Sequence, residues 1–216
     1  MARRKTHRRG KAKAGPPPRL AILCSLAALG FIAWLAIRDL GTVAPEKPTP
    51  RTLTMAQARA ANAAIPFLPG KPAPARPFHF TGGPAAREQA IQCLATAALY
   101  EAGGDRPGQK AVMQVVLNRV RRAGYPKTVC GVVYQGASRA TGCQFSFTCD
   151  GSRTRRPERA GWAVARHAAR RALSGYVFRA VGTSTHYHAD WIVPYWIGSL
   201  DKIARVESHI FYRPRR

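Results

Sequence analysis

Residues 94–120 read LATAALYEAGGDRPGQKAVMQVVLNRV. Before the glycine pair, Ala90, Ile91, Leu94, Ala97, Ala98 and Glu101 recur at helical spacing and share one face. Pro84 suits the first turn of that helix, where its missing N–H would be an orphan anyway. Gly103-Gly104 ends it, because glycine takes the left-handed cap without strain. Pro107 opens a second helix, and Ala111, Val112, Val115, Val116 and Val120 give it a broad apolar stripe. Gly124 and Pro126 stop it. The stretch therefore predicts two helices joined by a tight turn. One acid, Glu101, sits at the edge of an apolar face beside that turn.

Working outward, a third helix is expected over 127–135. A fourth covers 157–174, with Trp162 in the core and His167 on the helix surface. After Gly175, YVFRAV (176–181) and HIFY (209–212) read as short strands. Helices first and a little sheet afterwards make an α+β domain. Upstream, residues 54–65 predict a short helix that Thr54 caps and Pro66 ends. Prolines at 66, 69, 72, 74 and 77 keep residues 66–80 extended, laid along the domain. No internal repeat is present.

The chain has 216 residues, with 35 Lys and Arg against 10 Asp and Glu, a formal charge of +25. Residues 1–19 hold eight of the basic residues and no acid, and without that tail the rest still carries +17. Such charge suits nucleic acid or an anionic surface such as a membrane or cell wall. Residues 20–37, LAILCSLAALGFIAWLAI, carry no charge and are about long enough to span a bilayer. The basic residues before them place the N-terminus in the cytoplasm and the remainder outside. A cleaved signal peptide is the rival, but its core should be shorter, and Pro45 follows the nearest small-x-small site. The sequence thus divides into a basic tail (1–19), a membrane anchor (20–37), a Pro-rich linker with a short helix (38–80) and an exported domain (81–216). Export argues against nucleic acid as the partner.

Cys93, Cys130, Cys143 and Cys149 lie in the exported part, an even number that fits two disulfides. Three pairings are open. Cys143 and Cys149 close the short loop CQFSFTC, which favours that pair and leaves Cys93 with Cys130. Zinc is the alternative, but no Cys-x-x-Cys spacing occurs.

Glu101 is the strongest candidate for chemistry. An apolar face and a helix C-terminus both disfavour its negative charge and push its carboxyl upward. A carboxylic acid kept protonated near neutral pH is what a glycosidic oxygen needs as general acid. The bland alternative is a surface ion pair with Arg106. The segment Thr185-His186-Tyr187-His188-Ala189-Asp190 would bind metal only if a strand aligned its histidines and a third ligand appeared; cleft lining fits better. Phe145, Phe147, Tyr187, Trp191, Tyr195 and Trp196 crowd two loop-like segments and suit stacking on sugar rings, or a core.

YEAGG, GQKAVMQVVLNRV, TVCGVVYQG, CQFSFTCDG and THYHADWIVPYW, in that order, closely resemble the SleB-type cell wall hydrolase family, which includes spore-cortex-lytic enzymes. The resemblance covers roughly 85–212. It implies a mainly helical, lysozyme-like domain related to goose lysozyme and transglycosylases. It implies cleavage of the β-1,4 bond between N-acetylmuramic acid and N-acetylglucosamine in peptidoglycan, with no metal or cofactor. The family's catalytic glutamate falls on Glu101. Gln144, Ser146, Thr185, His186 and Tyr187 would meet the sugar's N-acetyl and hydroxyl groups, with Asp105, Gln109 and Phe145 also against substrate. Similar members often carry Glu where this chain has Asp105. Asp105, Asp150 and Asp190 are candidates for a second acid; a lytic transglycosylase needs none. A scaffold that binds glycan without cleaving it is the competing function.

Overall fold

In this computed structural model the described residues are Trp34, 53–139, 142–152 and 159–215. The basic tail and, apart from Trp34, the apolar run 20–37 lie outside them. Among the described residues no helix is long and apolar enough to cross a membrane. The chain divides into two units, Met1–Arg51 and Thr52–Arg216, and the second contains everything below.

Among the described residues of the second unit, helices come first: α1 (Met55–Ala64), α2 (Pro84–Ala102), α3 (Arg106–Arg121), α4 (Val129–Val133) and α5 (Arg159–Ala172). Three strands follow, β1 (His186–Ala189), β2 (Leu200–Val206) and β3 (His209–Pro214), in the antiparallel order β1-β3-β2. The architecture is α+β and mainly helical, as the sequence predicts.

Helix α2 is the axle of the helical part. Ala90, Ala95, Ala97 and Ala98 are all at most 4% exposed, because α3, α4 and α5 pack around it. Small residues let those backbones come close. Gly161 of α5 faces Leu99, whose Cδ2 would lie 3.0 Å from any added Cβ. Val112, Val116, Val132, Val133, Phe145 and Phe147 complete this core. A second, smaller core lies under the sheet, where Ala111 and Val115 of α3 meet Val181, Val206 and Phe211.

One expectation needs correction. Residues 176–181 are not a strand: Phe178 N–H donates to Gln114 Oε1 at 3.0 Å, and Arg179–Val181 form a 3-10 turn. The sheet uses HYHA and LDKIARV instead. In β2 the pairing shifts between Lys202 and Ala204, so Ile203 is an extra residue that breaks the alternation by which a strand is read.

The extended chain does lie along the domain. Leu68 N–H donates to Lys202 O at 2.7 Å and Phe80 N–H to Leu173 O at 2.9 Å, while Arg121 holds the carbonyls of Arg76 and Pro77. Thr54 and Gln57 form a reciprocal capping box on α1. Asn62 of α1 donates to the carbonyls of Asp190 and Ile192 at 2.8 and 2.9 Å, fixing α1 to the chain after β1. Disulfides join Cys93 to Cys130 and Cys143 to Cys149.

Candidate active site

Glu101 occupies the last turn of α2. Gly103 follows with φ of 49° and returns its N–H to Leu99 O at 2.8 Å, so the chain turns away from the carboxyl at once. A side chain at Gly103 would have open space but a strained backbone, which is the reason for glycine.

The partner of Glu101 comes from the sheet. Tyr187 on β1 donates its hydroxyl to Glu101 Oε2 at 2.9 Å. Its ring stacks on Phe211 with centroids 5.5 Å apart, and His209 meets its face edge-on at 5.5 Å. Helix α3 sets the entry to this strand. Asn118 Nδ2 donates to Gly182 O and Ser184 O at 2.9 and 2.8 Å, and Gln114 Nε2 donates to Asn118 Oδ1 at 3.0 Å. Arg119 Nε donates to Thr185 O at 2.7 Å, and Thr185 N–H to Tyr212 O at 3.0 Å. A polar row on α3 therefore aims β1, and β1 aims Tyr187.

Burial pushes the Glu101 carboxyl upward and outweighs the Tyr187 hydrogen bond and the charge of Arg119, both of which pull it down; Asp150 adds a further upward push. Tyr187 is pushed well above its ordinary range by burial and by Glu101, so its hydroxyl keeps its proton and can donate it to the Glu101 carboxylate. Arg119 is 3% exposed, and its Nη1 has no hydrogen-bond partner among the described residues. The sequence reading missed Arg119, Asn118 and Gln114. Their signal was Gln114 and Asn118 one helical turn apart, with Arg119 beside Asn118, on a helix otherwise buried in apolar contacts.

The other expected residues fall in several places. Alternation along β1 puts His186 and His188 on the face opposite Tyr187, where both pack on Trp196 with centroids 5.4 and 5.6 Å away. Burial, then Arg119 and Arg122, lower His186 to about 4, so it is neutral at neutral pH. His188 Nδ1 lies 2.9 Å from Ala189 O and Nε2 lies 3.0 Å from Tyr212 OH. A carbonyl only accepts, so Nδ1 carries the proton and Nε2 accepts from the tyrosine, leaving neither nitrogen for a metal. No cluster of three or more metal-binding side chains occurs among the described residues.

Thr185 is 1% exposed, with its hydroxyl 3.0 Å from His186 Nδ1. Phe145 and Phe147 are each 2% exposed and belong to the core rather than to a sugar platform; Phe147 stacks on Tyr100 at 4.4 Å. Gln144 is half-buried and Ser146 exposed, at the 3-10 turn Ser146–Thr148. Trp191 and Tyr195 are exposed, while Trp162 packs against the core as expected. Gln109 is buried and donates to Gly103 O at 2.5 Å. Asp105 is the N-cap of α3 and accepts from Gly108 N–H at 3.0 Å, a structural engagement that the sequence reading did not foresee. Asp190 is 3% exposed and held by Arg59 at 3.1 Å and Arg205 at 2.5 Å.

The cell wall hydrolase family model matches residues 103–212, which take in the α2–α3 turn, α3, α4, α5 and the sheet almost to its end. The chain belongs to this family. The matched stretch begins two residues after Glu101. Among curated proteins, the spore cortex-lytic enzyme of Halalkalibacterium halodurans is 32% identical over 122 residues, 56% of this chain and 34% of that protein. The spore cortex-lytic enzyme of Bacillus cereus is 31% identical over 123 residues, 56% of this chain and 43% of that one. The chain thus spans well under half of these relatives. Two solved structures are also similar. The catalytic domain of the Bacillus cereus SleB protein is 29% identical, covers 62% of this chain and 95% of its own, and gives a TM-score of 0.47. The catalytic domain of the germination-specific lytic transglycosylase SleB from Bacillus anthracis is 31% identical, covers 58% and 95%, and also gives 0.47.

Proposed function

We propose that this cell wall hydrolase cleaves the β-1,4 bond between N-acetylmuramic acid and N-acetylglucosamine, with Glu101 as general acid and then base. One observation carries the reading. Glu101 is a carboxyl raised by burial, held through Oε2 by Tyr187, while its Oε1 takes no hydrogen bond among the described residues. Protonated Glu101 gives its proton to the glycosidic oxygen as the C1–O bond breaks. The new carboxylate then takes the proton of the muramoyl 6-hydroxyl, whose oxygen bonds to C1. The product is a 1,6-anhydro end, and Glu101 regains its starting proton.

Hydrolysis is the second reading, and Asp150 is what favours it, since its charge acts on Glu101. Asp105 caps a helix, Asp190 lies beneath two arginines, and Asp150 accepts from Ser152 N–H at 2.7 Å. In a hydrolase the second carboxylate would activate water. The proposal includes anchorage of residues 20–37 in the inner membrane, with the catalytic unit in the periplasm. The basic surface then holds peptidoglycan carboxylates by screened attraction.

The test is mass spectrometry of fragments released from purified peptidoglycan by the full chain, beside its Glu101→Gln variant. Fragments lighter by one water than hydrolytic ones are expected. Reducing ends would transfer the reading to hydrolysis with Asp150 as the partner. No release, with binding intact, would leave a glycan-binding scaffold.

A further inference from the structure

A cavity of about 180 Å³ opens between α3 and α5, apart from Glu101, which is not among its walls. Arg106, Lys110 and Arg171 line it and none of its lining residues is acidic. Arg171 is held at the rim, with its guanidinium carbon 4.5 Å from the centre of the Tyr176 ring. Met113 and Phe178 supply apolar wall. Gln109 lines the cavity at 2% exposure; its Nε2 donates to Gly103 O, and its carbonyl oxygen accepts no hydrogen bond among the described residues.

Three cations, an amide oxygen that accepts no hydrogen bond among the described residues and an apolar wall together fit a peptide terminus. The cations take a carboxylate, the Gln109 oxygen takes an amide N–H, and the apolar wall takes a small side chain. The space is large enough for a small residue rather than a single water. We propose that this cavity binds the C-terminal alanine of the stem peptide carried by the glycan substrate.

The inference rests on the peptidoglycan reading above. Its geometry is feasible. Arg106 follows Glu101 by five residues, so their Cα atoms are at most about 18 Å apart, and the turn at Gly103 shortens this. A stem of four residues reaches about 13 Å from its muramic acid, and Arg106, Lys110 and Arg171 line the cavity it would enter. A glycan strand at Glu101 would therefore be held by sugar and by stem, and the enzyme would favour strands whose stems keep a free alanine carboxylate.

The test separates this from the cleavage reading by using a ligand with no glycosidic bond. The full chain in detergent, carrying Glu101→Gln, is titrated calorimetrically with free stem tetrapeptide and with the same peptide bearing a C-terminal carboxamide. Tighter binding of the carboxylate, by about tenfold, is expected, and the Lys110→Gln/Arg171→Gln variant should lose that difference. The carboxamide arm leaves the protein unaltered, so misfolding of the variant cannot imitate the result. Equal affinity for the two peptides, or no binding of either, overturns the inference whether or not the wild type cleaves glycan.

Discussion

Replacing Tyr187 with Phe removes a single oxygen and leaves the ring on Phe211. The lost contact is the 2.9 Å hydrogen bond to Glu101 Oε2. A hydrogen bond to a charged group contributes about 1.5–3 kcal/mol. It stabilises the carboxylate more than the acid, and so it strengthens as Glu101 releases its proton in the transition state. Its loss should therefore lower kcat/KM by roughly 10–100-fold. It also removes the larger of the two influences that pull the Glu101 carboxyl down, ahead of Arg119. The carboxyl then rises further. The acid limb that needs protonated Glu101 extends to higher pH, so the alkaline edge of the pH–rate profile should move upward. The assay is the initial rate of soluble-fragment release from purified peptidoglycan across pH 4–9 (~0.5-unit steps), with circular dichroism to confirm folding. A Tyr187→Phe variant within about twofold of wild type, with its alkaline edge unmoved, would refute the argument that Tyr187 tunes Glu101.

Three other expectations follow from the same contacts. Glu101 is raised in the fold, so the folded state holds its proton to higher pH than the unfolded chain; its contribution is full below the ordinary carboxyl range and is lost as pH rises through the folded value. Glu101→Gln should consequently unfold at a higher temperature than wild type at pH 7–8, with the gap closing toward about pH 4; a lower melting temperature at pH 8 would contradict this. Asn118→Ala removes two donations to buried carbonyls and one acceptance, so stability should fall by about 2–4 kcal/mol in urea unfolding, with kcat falling more than KM because Tyr187 loses its aim; a variant as stable as wild type would show that β1 is set otherwise. The Cys93–Cys130 disulfide closes a 37-residue separation and the Cys143–Cys149 disulfide one of 6. Loop entropy then makes the first worth about 4 kcal/mol and the second about 2, so paired Cys→Ala variants should rank in that order by denaturant midpoint.

The helical half was legible in the residues. Pro84, Gly103, Pro107 and Gly124 punctuate α2 and α3 because their backbones permit few conformations, and such local limits need no tertiary contact to act. Glu101 stood out for a similar reason, being a charge on an apolar face. The strands were harder. HYHA has no β-branched residue, and the extra residue Ile203 breaks the pattern of β2, so neither is a strand by local preference; both exist because β3 pairs with them. The substrate-facing assignments followed motif order, which does not say where a side chain ends up. Thus Phe145 entered the core and Asp105 became a cap, while His186 took the face of β1 away from Glu101.

By itself, then, the sequence determined the helix–turn–helix, the acid at its corner, the surplus of positive charge and the fitness of four cysteines for two bridges. Those properties depend on residues close in the chain or on simple totals. Only the tertiary structure decided that the acid's hydrogen-bond partner is Tyr187, 86 positions away, and that Asn118 and Arg119 aim the strand bearing it. The physical reason is that a hydrogen bond across a fold depends on where two elements are packed, and no local preference of either element encodes that distance.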